Sequence, residues 1–127
     1  MNKDLKQLED KIEYVFKDKL LLKQALTHSS YANENRGTGP FNERLEFLGD
    51  AVLSLVTAEY LFKKFPEMPE GELSKLRSGL VCTSSLCDYA KRISLGDFLF
   101  LGKGEENSGG RQRPSNLENT FEALIAA

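Results

Sequence analysis

The sequence predicts an all-α protein, a helical bundle built around one long central helix at about residues 42–64. Apolar residues recur at helical spacing along most of the chain, and the alternation typical of strands is nearly absent. The 127 residues and the hydrophobic content of 40% suit one compact domain. We therefore expect a single unit of helices joined by loops.

Two helices are predicted at the amino-terminal end. The first covers about residues 3–13, and the second follows Asp18, a residue suited to cap the start of a helix. Residues 29–41 are rich in turn formers and are predicted to form a loop. The central helix then runs from about Asn42 to Lys64 with apolar residues around most of its circumference, which is typical of the buried axis of a bundle.

Prolines and glycines divide the second half of the chain. Pro66 and Pro69 precede two helices that are predicted near residues 70–81 and 83–93. A second loop, charged and rich in glycine, is predicted over residues 101–113. The last helix therefore begins only after this loop.

That last helix has a clear start signal and no end signal. Ser115 and Glu118 have the spacing of a capping box, with Pro114 just outside it. Its apolar stripe consists of Leu117, Phe121 and Leu124. The sequence stops at Ala127 within this pattern, without a residue that caps the end. We expect the chain to be a fragment of a longer protein, truncated within its carboxy-terminal helices.

The composition argues against several classes of protein. The formal net charge of −2 does not suit the uniformly basic surface of a protein that coats nucleic acid, although local basic patches remain compatible with it. The two cysteines and the one histidine have no spacing that builds a zinc site or a disulfide framework. No signal peptide or membrane-spanning stretch is recognisable, so we expect a cytoplasmic protein without a membrane partner.

Three carboxylates gather on one face of the central helix. At about 100° per residue, Glu43, Glu46 and Asp50 fall within an arc of about 60°, opposite most of the apolar residues of that helix. Like charges at this spacing disfavour a helix. A bound cation would offset the repulsion, so this face is a candidate metal site.

A second pair of oxygen donors, Asn119 and Glu122, shares a face of the last helix. Hard oxygen donors suit Mg²⁺ or Mn²⁺, which makes a phosphodiester the natural substrate and a bound water the natural nucleophile. The alternative is that the acids form a solvated face, or pair with Arg44 and nearby lysines. The spacing alone leaves both interpretations open.

Glu43 to Leu53, ERLEFLGDAVL, resembles the signature of the ribonuclease III family of double-strand-specific endoribonucleases. The resemblance extends in the family's order to residues 27–31, 71–77, 104–106, 109–111 and 120–125. It therefore covers most of the chain, and it leaves an unrelated Mg²⁺-carboxylate enzyme acting on small phosphates without support.

The resemblance implies that residues 1–127 form an all-helical endonuclease domain that works as a homodimer on double-stranded RNA. It implies RNA processing by cleavage of both strands with Mg²⁺, for which Mn²⁺ can substitute, and it leaves ribosomal precursors, messenger RNA and small regulatory duplexes open as the substrate. The products are expected to carry 5′-phosphate ends and short 3′ overhangs, and no small-molecule cofactor is expected. The double-stranded RNA-binding domain that often follows in the family is absent from this chain.

The resemblance also implies the site residues. Glu46, Asp50, Asn119 and Glu122 would be metal ligands, and Asp50 and Glu122 the catalytic residues, with Glu122 the most directly tied to hydrolysis. Asn119 stands where many members carry an aspartate, so we expect an active enzyme with a higher metal requirement. A catalytically weakened RNA-binding or assembly module is the alternative, and the retained acids argue against it.

Phe47 lies beside the carboxylates on the helical wheel, away from the main apolar stripe. A neighbouring helix of the same chain could cover it, whereas the resemblance implies insertion into the partner subunit at a two-fold interface. Glu43, Lys75 and Arg77 are expected to support the site or to contact RNA. His28, a lone imidazole near a helix end, is interpreted as structural.

Overall fold

Eight α-helices make up most of the computed structural model, which describes residues 4–127. They are α1 (Leu5–Ile12), α2 (Lys19–Ala25), α3 (Ser29–Glu34), α4 (Glu43–Lys64), α5 (Glu70–Val81), α6 (Thr83–Arg92), α7 (Lys103–Asn107) and α8 (Pro114–Ala126). Short 3-10 turns cover Leu95–Phe98 and Gly110–Gln112. Over these described residues no strand forms, and the only β-type pairing is one isolated bridge between Thr27 and Phe100. The predicted all-α class is confirmed.

The first helices begin where short polar side chains cap them. The Asp18 carboxylate accepts hydrogen bonds from the backbone N–H groups of Leu20 and Leu21 at 2.9 and 3.3 Å, so the predicted cap of α2 is confirmed. Asp4 caps α1 in the same way, and α1 is shorter than the predicted range. The predicted start of that range, residue 3, lies outside the described residues.

Helix α8 passes through the middle of the bundle, packed against α4, α6 and α2. Its buried side joins a core formed mainly by leucines, which includes Leu8, Leu22, Leu26, Leu95, Phe98 and Leu117. The prediction that α4 is the buried axis is wrong, because only Leu45, Gly49 and Leu61 of α4 are buried. Too few helices surround α4 to cover its apolar circumference.

The prediction of a loop over residues 29–41 is wrong in its first half, where α3 forms. His28 caps this helix, because its ring Nδ1 accepts the Ser30 backbone N–H at 3.0 Å. The Ser30 hydroxyl in turn accepts the Gly102 backbone N–H at 2.9 Å. This helix therefore depends on a contact with a segment far along the chain.

The second predicted loop, residues 101–113, is also partly helical, since it contains α7 and a 3-10 turn. Arg111 orders the segment: its guanidinium forms an ion pair with Glu106 and donates to the carbonyls of Gly96 and Leu99 at 3.0 and 2.8 Å. The half-buried Arg111 side chain thus binds two turns together, which local composition does not indicate.

The predicted capping box at the start of α8 does not form. Pro114 is the first residue of the helix rather than its outer neighbour, and neither side chain of the box makes a capping hydrogen bond. Proline suits this place because it has a helical φ and no N–H to satisfy. Glu118 instead accepts a hydrogen bond from the Thr83 hydroxyl of α6 at 3.2 Å.

The remaining predicted helices are confirmed, with bounds within about one residue for α4, α5 and α6. Within the described part of the chain, no helix combines the length and the apolar character needed to cross a bilayer. Helix α4 is long enough with 22 residues, but acidic and basic side chains interrupt it.

Candidate active site

Helices α4 and α8 approach each other most closely at Gly49. A β-carbon placed there would overlap the backbone carbonyl of Glu122, so only glycine permits this crossing. Gly49 lies between Glu46 and Asp50 in the sequence and shares their side of α4. The crossing therefore brings the acids of α4 directly beside Glu122 of α8.

Asp50 and Glu122 form the centre of the site. Their side chains are hydrogen bonded to each other, and Glu122 is only 6% exposed. Burial, the hydrogen bond with Asp50 and the negative charges of Asp50, Glu118 and Glu46 raise the pKa of Glu122 to about 8. In the metal-free protein, Glu122 thus keeps its proton at neutral pH, within the hydrogen bond that joins it to Asp50.

Glu46 extends the acidic cluster along α4. Its side chain is half-buried, and its pKa is raised by burial first and then by the charges of Glu118, Asp50 and Glu43. Acids on two helices therefore repel one another across the crossing. This crowding of like charges destabilises the folded protein unless protons or a cation neutralise it.

A small cleft opens beside Glu46. Its lining includes Glu43 and Asn119, so both residues lie near Glu46. His28 and Thr120 also line it. Burial is the main cause that lowers the pKa of His28, whose ring interacts with Asn116, so the imidazole is neutral and structurally engaged.

A buried hydrogen-bond network holds the floor of this cleft. The Asn42 amide donates to the Ala25 carbonyl at 3.2 Å and to the Thr120 hydroxyl at 3.4 Å. The Asn116 amide donates to Glu105 at 2.8 Å and to the Gly110 carbonyl at 3.0 Å. Asn42, Asn116 and Thr120 were not predicted as site residues. The available signal was their helical spacing: Asn42 stands four residues before Glu46, and Asn116 four residues before Thr120.

The chemistry of the donors fits a hard divalent cation. Glu46, Asp50 and Glu122 supply carboxylate oxygens near the crossing, and Asn119 supplies an amide oxygen in the cleft beside Glu46. Crowding keeps a proton on Glu122 that a cation could replace. Over residues 4–127, no group of three or more histidine, cysteine or acidic side chains is close enough to enclose a metal. An open site suits Mg²⁺, which keeps several of its waters.

The other predicted residues lie away from the acids. Lys75 and Arg77 belong to α5 and do not line the acidic cleft; Arg77 instead lies in a groove between α4 and α5 beside Leu61 and Glu70. Neither of them forms an ion pair with a described residue. Both remain available for contacts outside this chain.

Phe47 projects from the outer side of α4 and is 83% exposed. The alternative in which a helix of the same chain covers it is therefore wrong for the described residues. Other large apolar side chains of α4 and α5 are also exposed: Leu48, Leu55, Val56, Tyr60, Phe62, Leu76 and Leu80. We call these residues, with Phe47, the apolar face, and its extent is typical of a protein–protein contact.

The family model described as Ribonuclease-III-like matches residues 18–127. The chain is 57% identical over 121 residues to Ribonuclease 3 of Syntrophotalea carbinolica, covering 94% of this chain and 52% of the relative. It is 58% identical over 123 residues to Ribonuclease 3 of Caldanaerobacter subterraneus, covering 97% of this chain and 54% of the relative. The chain thus spans about half the length of the curated relatives it matches.

Two solved structures of a ribonuclease III nuclease domain are also similar to this chain. The nuclease domain of ribonuclease III from Campylobacter jejuni superimposes with a TM-score of 0.88 at 49% identity, covering 98% of this chain and 81% of that one. A second structure of that domain, described as showing structural flexibility in a region involved in dimer formation, has a TM-score of 0.89 at 49% identity, covering 97% and 82%.

Proposed function

Because the chain belongs to the ribonuclease III-like family, we propose that it is the nuclease domain of an endoribonuclease that hydrolyses phosphodiester bonds in double-stranded RNA with a divalent metal. The observation that carries this proposal is the crossing at Gly49, which joins the acids of α4 to Glu122 of α8. A metal-dependent phosphodiesterase needs such a set of oxygen donors at one point.

Glu46, Asp50, Asn119 and Glu122 would hold Mg²⁺, or Mn²⁺ in its place. When bound, the metal supplies Lewis-acid activation of a water and neutralises charge on the phosphodiester. Glu122 holds a proton in the metal-free protein and must release it before it can act as an anionic ligand. Asn119 contributes an amide oxygen without charge, and the Asn42–Thr120 hydrogen bond fixes its helix against the start of α4.

The apolar face supports a homodimer. Phe47 lies at one end of it, beside a shallow hollow that Leu21, Gln24 and Arg44 help to line. Insertion of Phe47 into a second copy would bury an aromatic ring that the single chain leaves in water. Two acidic sites per dimer would then serve the two strands of one duplex, leaving 5′-phosphate ends and short 3′ overhangs.

Contacts with the RNA backbone would come from side chains near the acids and from α5. Glu43 lines the acidic cleft and supports the site from the first turn of α4. Lys75 and Arg77 are unpaired with described acids and would contact phosphates, which positions a duplex without reading its sequence. We expect the protein to act in the cytoplasm in RNA processing, for example that of ribosomal RNA.

A catalytically weakened binding or assembly module is the second candidate, and the neutral Asn119 is the observation that favours it. The proposal of an active enzyme is better supported because Glu122 is buried in a crowded acidic environment. That arrangement costs folding energy, and metal binding gives a physical reason for it.

The test is cleavage of a long RNA duplex by this chain in Mg²⁺, with end-labelled products resolved on a gel. We expect cutting of the duplex, none in EDTA, and little cutting of a single strand of the same sequence. With a strand labelled at its 3′ end, the change in gel mobility of the product after phosphatase treatment checks the predicted 5′-phosphate ends. Binding of the duplex without cutting, at any Mg²⁺ concentration, would support the second candidate.

A further inference from the structure

A fourth carboxylate, Glu118, lies beside the acids of the candidate active site. It stands one turn before Glu122 on α8, at the i, i+4 spacing that places two side chains on the same face. It also directly precedes Asn119, the one uncharged ligand of the proposed set. Glu118 is half-buried, so solvent screens its charge only in part.

Helix α6 holds Glu118 in place. The Thr83 hydroxyl donates to the Glu118 carboxylate at 3.2 Å, and the thiol of Cys87, one turn further along α6, receives a hydrogen bond from the Glu118 backbone N–H. The same thiol donates to the Pro114 carbonyl at 3.1 Å. Both the backbone and the side chain of Glu118 are therefore fixed by neutral groups.

The negative charge of Glu118 has no ion-pair partner among residues 4–127. Across the described ranges no lysine or arginine forms an ion pair with Glu118. Its charge acts on both helices of the site, since it contributes to the raised pKa of Glu46 on α4 and of Glu122 on α8. The negative charge of Glu118 would also attract a divalent cation that lies between Glu46 and Glu122.

We propose that Glu118, oriented by the Thr83 hydroxyl, supplies the metal site with the negative charge that Asn119 does not provide. This inference rests on the proposed function, because it needs a divalent cation at Glu46, Asp50 and Glu122. Glu118 is a positioning residue in this role: it attracts the cation through its charge, from the turn next to the ligands.

The test is the affinity for Mg²⁺, measured by titration calorimetry on the whole chain without RNA. Glu118→Gln keeps the hydrogen bond to Thr83 possible and removes the charge, so we expect Mg²⁺ binding to weaken roughly three- to tenfold. Adding Asn119→Asp to that variant returns a charge one residue away and should restore most of the affinity. Thr83→Val should weaken binding in the same direction by a smaller factor.

The matched control is Glu59→Gln, which removes a charge about 20 Å along α4 from Glu46 and should leave the affinity unchanged. Circular dichroism checks that every variant is folded. If the wild-type chain binds Mg²⁺ in a Glu122-dependent way and Glu118→Gln binds it equally well, this inference is overturned while the proposed function stands. If the wild-type chain does not bind Mg²⁺, or binds it equally after Glu122→Gln, both are overturned.

Discussion

Gly49 of α4 lies directly against the backbone carbonyl of Glu122 on α8, with no room for a β-carbon between them. This contact sets how close the acids of the two helices come. The glycine of the ERLEFLGD segment is therefore as important for the site as its carboxylates, because it determines where they meet.

Gly49→Ala should separate the two helices. Forcing a methyl group into this crossing is expected to destabilise the protein by about 1–3 kcal/mol and to abolish Mg²⁺ binding, because Glu122 moves away from Asp50. Urea denaturation and calorimetry measure the two effects. The control is Gly79→Ala in α5, where a β-carbon meets no atom within 4 Å, and which should be neutral or stabilising by up to about 1 kcal/mol.

Phe47→Ala should shift the protein from dimer to monomer. Loss of an aromatic anchor that inserts into the partner typically weakens an interface by about 2 kcal/mol or more, which is roughly thirtyfold in the dimer dissociation constant. Sedimentation velocity over a range of concentrations measures this shift. Val15→Ala removes an apolar side chain that is also exposed but lies outside the apolar face, and it should leave the dimer intact. An unchanged dimer in Phe47→Ala would count against the proposed role of this residue.

Asn119→Asp should lower the Mg²⁺ requirement of RNA cleavage. A carboxylate at this place adds one negative charge to a hard-cation site, so the Mg²⁺ concentration for half-maximal rate is expected to fall by roughly three- to tenfold. The same change at Asn107, an exposed residue of α7, is the control and should leave that concentration unchanged. The expectation is wrong if Asn119→Asp needs as much Mg²⁺ as the wild-type chain.

The stability of the metal-free protein should fall as the pH rises from 6 to 9. Glu122 has a folded-state pKa raised from 4.5 to about 8, so the folded protein holds this proton more tightly than the unfolded chain. Its stabilisation is complete below pH 4.5 and is lost as the pH rises through about 8. Thermal unfolding in EDTA should show a fall in Tm of about 4 °C or more over this range.

Two comparisons test whether the proton on Glu122 causes this pH dependence of Tm. Glu122→Gln cannot lose a proton, so its Tm should change less between pH 6 and 9 than that of the wild-type chain. Mg²⁺ should restore the stability of the wild-type chain at pH 9, because the cation replaces the proton. A wild-type Tm that follows the same pH course as the variant would contradict the assignment of the proton to Glu122.

Much of the fold could be predicted from the sequence because the signals were local. Asp18 caps α2, prolines separate α4 from α5, and the apolar spacing of these helices is regular. Helices α3 and α7 could not be predicted, because they are held by contacts far apart in sequence, such as that of Ser30 with Gly102. A segment rich in turn-forming residues gives no local indication that distant contacts will stabilise a helix there.

The acidic residues of the site could be predicted from the sequence, but the residues that they contact could not. The i, i+4 spacing places Glu46 and Asp50 on one face of α4, whereas the pairing of Asp50 with Glu122 depends on which helix crosses at Gly49. Glu118 was interpreted as part of a helix cap because its spacing from Ser115 suited one, although Thr83 binds it instead. Likewise, the apolar circumference of α4 did not distinguish burial within the chain from burial against a second copy.

The central claim is that Glu122, brought to Asp50 by the α4–α8 crossing, enables metal-dependent hydrolysis of an RNA duplex. The most direct measurement is the single-turnover cleavage rate of a long RNA duplex at saturating Mg²⁺, for the wild-type chain and for Glu122→Gln, with both shown to be folded. The account requires cutting by the wild-type chain and a loss of at least about a hundredfold in the variant, as for other groups that act directly in the transition state. Equal rates for the two proteins would contradict it.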